Sequence, residues 1–395
     1  MVYHKLDNMQ TPRAAADSFK ELFAAICLGL LVGGLTTLFI KALNLIEVQQ
    51  LALNSMPWPP HLFFLPVVLV FLFLLKKRTL YFPTKVSELK RWGSESCLHW
   101  NPLMSLFHFV GTLMSHMVGA SVGREGVVIL MSAGLVRLFQ LSWNFWGPVA
   151  MGCGFSAILG NPWIGFVFMS EMFTTNLKQK IFLLIASLFA HLLMQSLQVQ
   201  HVFNAIDVQD SIGFFKMLTF ILILSATSGF GMRFYKFIFL RLSAFFHQKP
   251  LAVKFLFALI LMGLLFIPQL RRYQSLGLLQ IENLSALDLG FQIPALKLIF
   301  TLFSLTLGFW GGEFIPLIYT GLHFGATLAS TLNFPVLVGT YMSCFLFFAG
   351  ATRLKWTSFF LILSLMGISW ALWLLLLVQL TVGFSGAQSL YRPHE

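Results

Sequence analysis

The chain has 395 residues, 57% of them hydrophobic and only 10% charged, with a mean hydropathy of +0.81. A soluble globular chain carries roughly 25% charged residues, so this composition argues against a water-soluble fold and against soluble catalysis. Lys and Arg number 26 against 14 Asp and Glu, a net charge of +12, yet no basic patch interleaved with exposed aromatics occurs, and nucleic acid is not an expected partner.

The N-terminal MVYHKLDNMQTPRAAADSFK is polar and carries no secretory signal, so residues 1–20 read as a cytoplasmic segment. From Leu22 the run LFAAICLGLLVGGLTTLFI continues as a full membrane span, long enough to cross about 30 Å of hydrocarbon. In chain order the apolar pattern predicts helices near 21–46, 61–77, 100–120, 125–142, 147–172, 180–197, 212–240, 251–268, 293–309, 316–331, 334–350 and 357–381. The basic tracts Lys76-Lys77-Arg78, Lys90-Arg91 and Arg271-Arg272 read as cytoplasmic flanks. Residues 21–391 therefore form an all-α polytopic domain of the cell membrane, with halves 21–197 and 212–391, followed by a short tail, 392–395. Three of the four cysteines sit in apolar runs, and His108 and His116 read as core residues, so no metal or cofactor is expected.

Several predicted helices are short or broken by Gly and Pro, which lipid tolerates only where protein or a watery cavity satisfies the freed backbone groups. The breaks recur in two halves. GREGVVILMSAG from Gly123 is echoed by GGEFIPLIYTG from Gly311, 188 positions on (311 − 123). ILGNPWIGFVFM around Asn161 is echoed by FAGATRLKWTSFF around Thr352, 191 positions on (352 − 161). Interrupted segments at matching places in two halves mark a repeated transporter architecture with its site at the repeat interface.

The chemistry concentrates at these breaks. Gly123-Arg124-Glu125-Gly126 runs straight into an apolar helix, so amides at the helix start face a ligand while the helix dipole favours an anion. A carboxylate at Glu125 either caps that helix or occupies the anion's place, and the two roles are compatible. Protonated or displaced, Glu125 would act as gate and proton carrier. Arg124 reads as support for the fold or local field. Gly312-Glu313-Phe314-Ile315-Pro316 offers a second helix start, with Pro where its missing N–H costs little. The amides of Phe314 and Ile315 would meet those of the first motif, while Glu313 caps the helix with a charge that opposes an anion.

GASVGREG, GNPWIGFVFMSEM, GGEFIPLIYTGLHFGATLA and SGAQSLYRPHE, in that order, resemble the CLC family of chloride channels and anion/proton antiporters. The resemblance implies a homodimer in the lipid bilayer with one anion pathway per subunit, built from inverted repeats of tilted and discontinuous helices. It implies a gating and proton-transferring role for Glu125, anion contacts from Gly123, Gly126, Phe314 and Ile315, and a central hydroxyl from Tyr391, with Arg124, Gly312, Pro316, Asn161 and Thr352 as supporting motif positions.

The chain also departs from the family pattern. The GSGIP motif is absent, YFPTKVSELKRW stands in its region, and Thr84 is the nearest substitute for the central serine. Glu171 matches the first member of a Glu-Glu pair, but Met172 stands where chloride/proton exchangers commonly carry the inner proton-transfer glutamate, and a thioether carries no proton. Met172 fits either a passive chloride or halide pathway, the broad expectation, or the bacterial fluoride/proton antiporter branch, whose GGE-x-x-PLxxxG-x-x-x-GA and AGATNTP patterns the chain approaches. In AGATRLK, Arg353 and Lys355 replace a polar residue and a proline; they either draw anions into an entrance or snorkel to the interface. A non-transporting structural or regulatory membrane protein is the remaining alternative.

Overall fold

The computed structural model describes residues 12–78, 83, 85–91, 101, 103–201, 212–277, 281 and 287–391. The expectations for residues 1–11, for Thr84 and for the 392–395 tail fall outside these.

The described chain is helical throughout. Helix α1 spans Pro12–Asn54, α2 Leu65–Arg78, α3 Val86–Arg91, α4 Met104–Met117, α5 Glu125–Leu138, α6 Trp143–Leu159, α7 Ile164–Met172 and α8 Leu177–Ser196. After residue 212 follow α9 Phe214–Gln248, α10 Leu251–Leu265, α11 Gln292–Leu307, α12 Phe314–Thr331, α13 Val336–Ser343, α14 Leu346–Thr352, α15 Lys355–Met366 and α16 Ala371–Phe384. At 1.5 Å per residue, the 43 residues of α1 run about 65 Å and the 35 of α9 about 50 Å. Both overshoot a core of about 30 Å and must tilt or project beyond it. Helices α7 and α14, with 9 and 7 residues, are too short to cross. This is a multi-pass membrane protein of tilted and discontinuous helices.

Matching elements recur in the two halves. Helices α4 and α11 begin at 104 and 292, α5 and α12 at 125 and 314, α7 and α15 at 164 and 355, each near the offset read from the motifs. Each half also turns a corner on a left-handed residue, Gly160 (φ 72°) after α6 and Arg353 (φ 61°) after α14, and the helices that follow, α7 and α15, pack together.

Packing without a hydrophobic drive between helices relies on close backbone approach. Gly29 and Gly33 of α1 face Ala186 and Ala190 of α8, both pairs four residues apart. A Cβ on Gly29 would lie 2.9 Å from the Ala186 Cα, and one on Gly33 2.9 Å from the Ala190 Cα. Helix α8 opens with a reciprocal cap: Asn176 Oδ1 accepts the Gln179 amide at 2.8 Å, and Gln179 Oε1 accepts the Asn176 amide at 3.0 Å.

Three expectations shift. Helix α1 begins at Pro12, inside the segment expected to precede it. The run 147–172 parts at its GNPWIG break, at Gly160 and Pro162, and the run 334–350 is likewise two helices, α13 and α14. Arg271 is not a flank charge: it is buried, and its guanidinium donates to the carbonyls of Asn54, Met56, Pro57 and Phe266 at 2.8–3.1 Å. Three of those carbonyls lie between the end of α1 and the start of α2 and the fourth follows α10, whereas the Lys76–Arg78 tract ends α2.

Candidate functional site

The two glycine breaks meet backbone to backbone. The Gly123 amide donates to the Gly312 carbonyl at 2.5 Å and the Gly312 amide to the Gly123 carbonyl at 2.8 Å, an isolated antiparallel bridge. Helices α5 and α12 both start within two residues of this bridge, so their positive ends share one neighbourhood. The approach needs glycine at 123: a Cβ there would stand 3.1 Å from the Gly312 carbonyl oxygen and 3.2 Å from the Ile315 nitrogen. Gly312 in turn lies against Gly126, whose amide nitrogen would be 3.4 Å from a Cβ on Gly312.

Glu125 is the first residue of α5 and is buried. Its Oε2 accepts the Arg124 amide at 3.2 Å, and its Oε1 pairs with the Arg124 Nε at 3.4 Å. Arg124, also buried, is thus the partner of the acid beside it. Across the bridge, Phe314 and Ile315 are buried in the first turn of α12, where amides have no intrahelical acceptor, and Pro316 follows them. The Phe314 ring packs edge-on against Phe155 and Phe348, with centroids 5.7 and 4.6 Å away.

Tyr391 reaches the same place from the end of the described chain. Its ring lies 6.0 Å from that of Phe348, and its hydroxyl donates to the Glu313 carboxylate. Glu313 as the partner of Tyr391 was not visible in the sequence: its place beside the helix start suggested a cap, and nothing local pointed to residue 391. The Tyr391 segment is held on the end of α14, where three orphan carbonyls each find a donor. Lys236 Nζ donates to Gly350 at 2.8 Å, the Leu390 amide to Ala351 at 2.9 Å, and Ser389 Oγ to Thr352 at 2.6 Å. Lys236, buried in α9, also donates to the Gln388 carbonyl at 2.6 Å, a residue with no sequence signal beyond its charge in an apolar run.

Thr352 therefore touches the Tyr391 segment through its carbonyl. Asn161 does not join the centre: its Oδ1 accepts the Trp163 amide at 3.0 Å in the turn before α7, where it lines a separate apolar recess with Phe360 and Ile368. The segment around Thr84 borders the centre through Val86, whose side chain lies 3.5 Å from where a Cβ on Gly126 would sit. Met172 is buried at the end of α7, and Glu171 caps α15 by accepting the amides of Trp356 and Thr357 at 3.1 and 2.9 Å. His108 is a core residue, its Nε2 2.9 Å from the Pro83 carbonyl.

A family model described as voltage gated chloride channel matches residues 85–386, well over half of the chain. The chain belongs to the CLC family of voltage-gated chloride channels. This membership sets it among channels and antiporters rather than enzymes. A curated CLC relative from Pseudomonas syringae pv. tomato, a "chloride/fluoride channel protein", is 28% identical over 287 residues, which cover 65% of this chain and 61% of the relative. The match thus spans about three fifths of that relative's length. Among solved structures, a CLC-type fluoride/proton antiporter superimposes with a TM-score of 0.80 at 19% identity, covering 96% of this chain and 98% of the other. A slow cyanobacterial chloride/proton antiporter gives 0.78 at 18% identity, covering 94% and 96%. A eukaryotic CLC transporter gives 0.67 at 17%, covering 94% and 73%. These likenesses establish the CLC fold.

Proposed function

We propose that the chain carries small anions across the membrane and exchanges fluoride for protons, with Glu125 as gate and proton carrier. The observation that carries this reading is the Gly123–Gly312 bridge, which brings two helix starts together with the Glu125 carboxylate already seated on backbone N–H at one of them. An anion entering there competes with that carboxylate for the same donors. A charged carboxylate leaves them for an apolar surrounding only at several kcal/mol, roughly, and a protonated one leaves far more easily. Anion entry and proton uptake are therefore linked, as the proposed exchange requires.

Fluoride is favoured over chloride for three reasons. The smallest halide loses most hydration on entry and needs several short N–H contacts, for which the first-turn amides of α12, those of Phe314 and Ile315, are the candidate donors. Glu313, joined to Tyr391, supplies a second acid at the centre where Met172 removes the inner one. The names of the Pseudomonas relative and of the fluoride/proton antiporter point the same way. Uncoupled chloride permeation is the second reading, and Met172 is the observation in its favour. The homodimer and the division into halves at 197 and 212 belong to the same proposal.

The test is transport by the purified chain in sealed liposomes, with fluoride, chloride and proton movement recorded together. Fluoride efflux that drives proton uptake supports exchange; anion flux without protons selects a channel; no flux of either anion refutes both. Glu125→Gln, close in size, is expected to abolish proton coupling while assembly persists.

A further inference from the structure

Basic side chains gather where the end of α2 meets the turn from α9 to α10. Lys76, Lys77 and Arg78 fill the last turn of α2, Lys249 closes α9, and Lys254 stands in the first turn of α10. Helices α2 and α10 pack together. The Lys254 ammonium lies 5.1 Å from the ring centroid of Phe73 on α2, and Lys76 is within electrostatic reach of it. Lys249 holds its ammonium 4.8 Å from the Phe245 ring centroid. No Asp or Glu occurs anywhere in α2, α9 or α10. Among the described residues, neither Lys249 nor Lys254 forms an ion pair.

Like charges drawn this close repel unless an anion lies between them. The negative end of the helix dipole favours cations in the last turn of α2, but the first turn of α10 lies at a positive end and disfavours one. The stability of α10 therefore gives no reason for Lys254. A phenyl ring meets one face of an ammonium and leaves N–H groups free to donate. Deeper along both helices the surface is apolar and exposed, with Phe71 and Leu74 on α2 and Phe255 and Leu256 on α10. Cations above an apolar wall suit an amphiphile rather than a free ion. With no carboxylate on these helices, nothing there pairs with the ammonium of a zwitterionic headgroup.

We propose that Lys76, Lys77, Arg78, Lys249 and Lys254 form a binding site for the phosphate headgroup of an anionic phospholipid, whose acyl chains lie along α2 and α10. The site stands apart from the Gly123–Gly312 crossing and does not depend on which ion the chain carries. Each cation near the membrane surface strengthens the hold on an anionic headgroup about fivefold.

The experiment titrates the purified full chain in detergent with phosphatidylglycerol or phosphatidylcholine and reads bound lipid by native mass spectrometry. Phosphatidylglycerol is expected to be retained in preference to phosphatidylcholine. Replacing both turn lysines, Lys249→Gln with Lys254→Gln, should weaken its apparent affinity about 5- to 25-fold, and Lys249→Gln alone, exposed on the turn, about fivefold. The paired changes Lys249→Arg and Lys254→Arg keep the wild-type affinity, as does Lys216→Gln, an exposed lysine at the other end of α9. Equal retention of the two lipids, wild-type affinity in both Gln variants, or the same loss in Lys216→Gln overturns the site. Displacement of the bound phosphatidylglycerol by millimolar inorganic phosphate would make it a site for a free ion and overturn the lipid assignment.

Discussion

A single methyl group tests whether the crossing of the two helix starts is as tight as it looks. In Gly123→Ala the new Cβ meets the Gly312 carbonyl oxygen at 3.1 Å, the Ile315 nitrogen at 3.2 Å and the Pro316 Cδ at 3.2 Å. Comfortable separations for such contacts are about 3.5–4.0 Å, and two of the three neighbours are backbone, so the motifs must part by a few tenths of an ångström. Overpacking of this kind costs about 1–3 kcal/mol. The displacement falls on the amide of Ile315, while a binding constellation tolerates only about 0.5 Å. Transport per reconstituted protein should fall about 10- to 100-fold, with a thermal midpoint lower by a few degrees and an unchanged elution profile. Gly263→Ala is the control: it lies inside α10 with nothing within 4 Å of the new Cβ, and the change should stabilise by about 0.5–1 kcal/mol. Wild-type flux and stability in Gly123→Ala would refute the close crossing and the shared anion site built on it.

Tyr391→Phe removes the hydroxyl that Glu313 accepts, an interaction with a charged group worth about 1.5–3 kcal/mol; the ratio of protons to fluoride moved should change while the protein remains assembled, and an unaltered ratio would remove Tyr391 from the mechanism. Lys236→Met leaves the Gly350 and Gln388 carbonyls without this donor, at about 1–3 kcal/mol for each buried group. Hydrogen exchange should then speed up over residues 386–391 while α1 and α8 keep wild-type protection; uniform protection would show that the segment is held by other means. Gly165→Ala would drive a Cβ to 2.4 Å from the Ser156 hydroxyl and 2.8 Å from the Gly152 carbonyl carbon. A cost of about 3 kcal/mol or more is expected, read as loss of monodisperse protein on size exclusion.

The features legible in the sequence were those whose cause is local. Apolar length announced the spans, and glycine and proline announced the breaks at 123, 160 and 311, since both act through the backbone of their own residue. The repeat was legible because it preserves order: α4, α5 and α7 reappear as α11, α12 and α15 at offsets the motifs already displayed. Arg271 misled because charge alone does not distinguish a flank from a staple. Its acceptors at 54, 56 and 57 lie more than 200 residues away, and only folding brings them together.

The same distinction explains why the far end of the described chain was half read. Tyr391 was found through its motif, but what holds it is non-local: Lys236 reaches Gly350 across 114 residues and Gln388 across 152, and Ser389 reaches Thr352 across 37. A seven-residue helix such as α14 leaves most of its carbonyls without intrahelical partners, so in an apolar setting it must recruit donors from elsewhere. The strand of chain that supplies two of them carries the phenol, and the aromatic contacts of Phe348 on that helix carry it on to Phe314. A discontinuous helix thus needs the terminal segment for its own stability and, by the same bonds, fixes that segment's hydroxyl on Glu313. Loosening one should loosen the other, and for that reason Lys236→Met is expected to disturb the Tyr391–Glu313 contact.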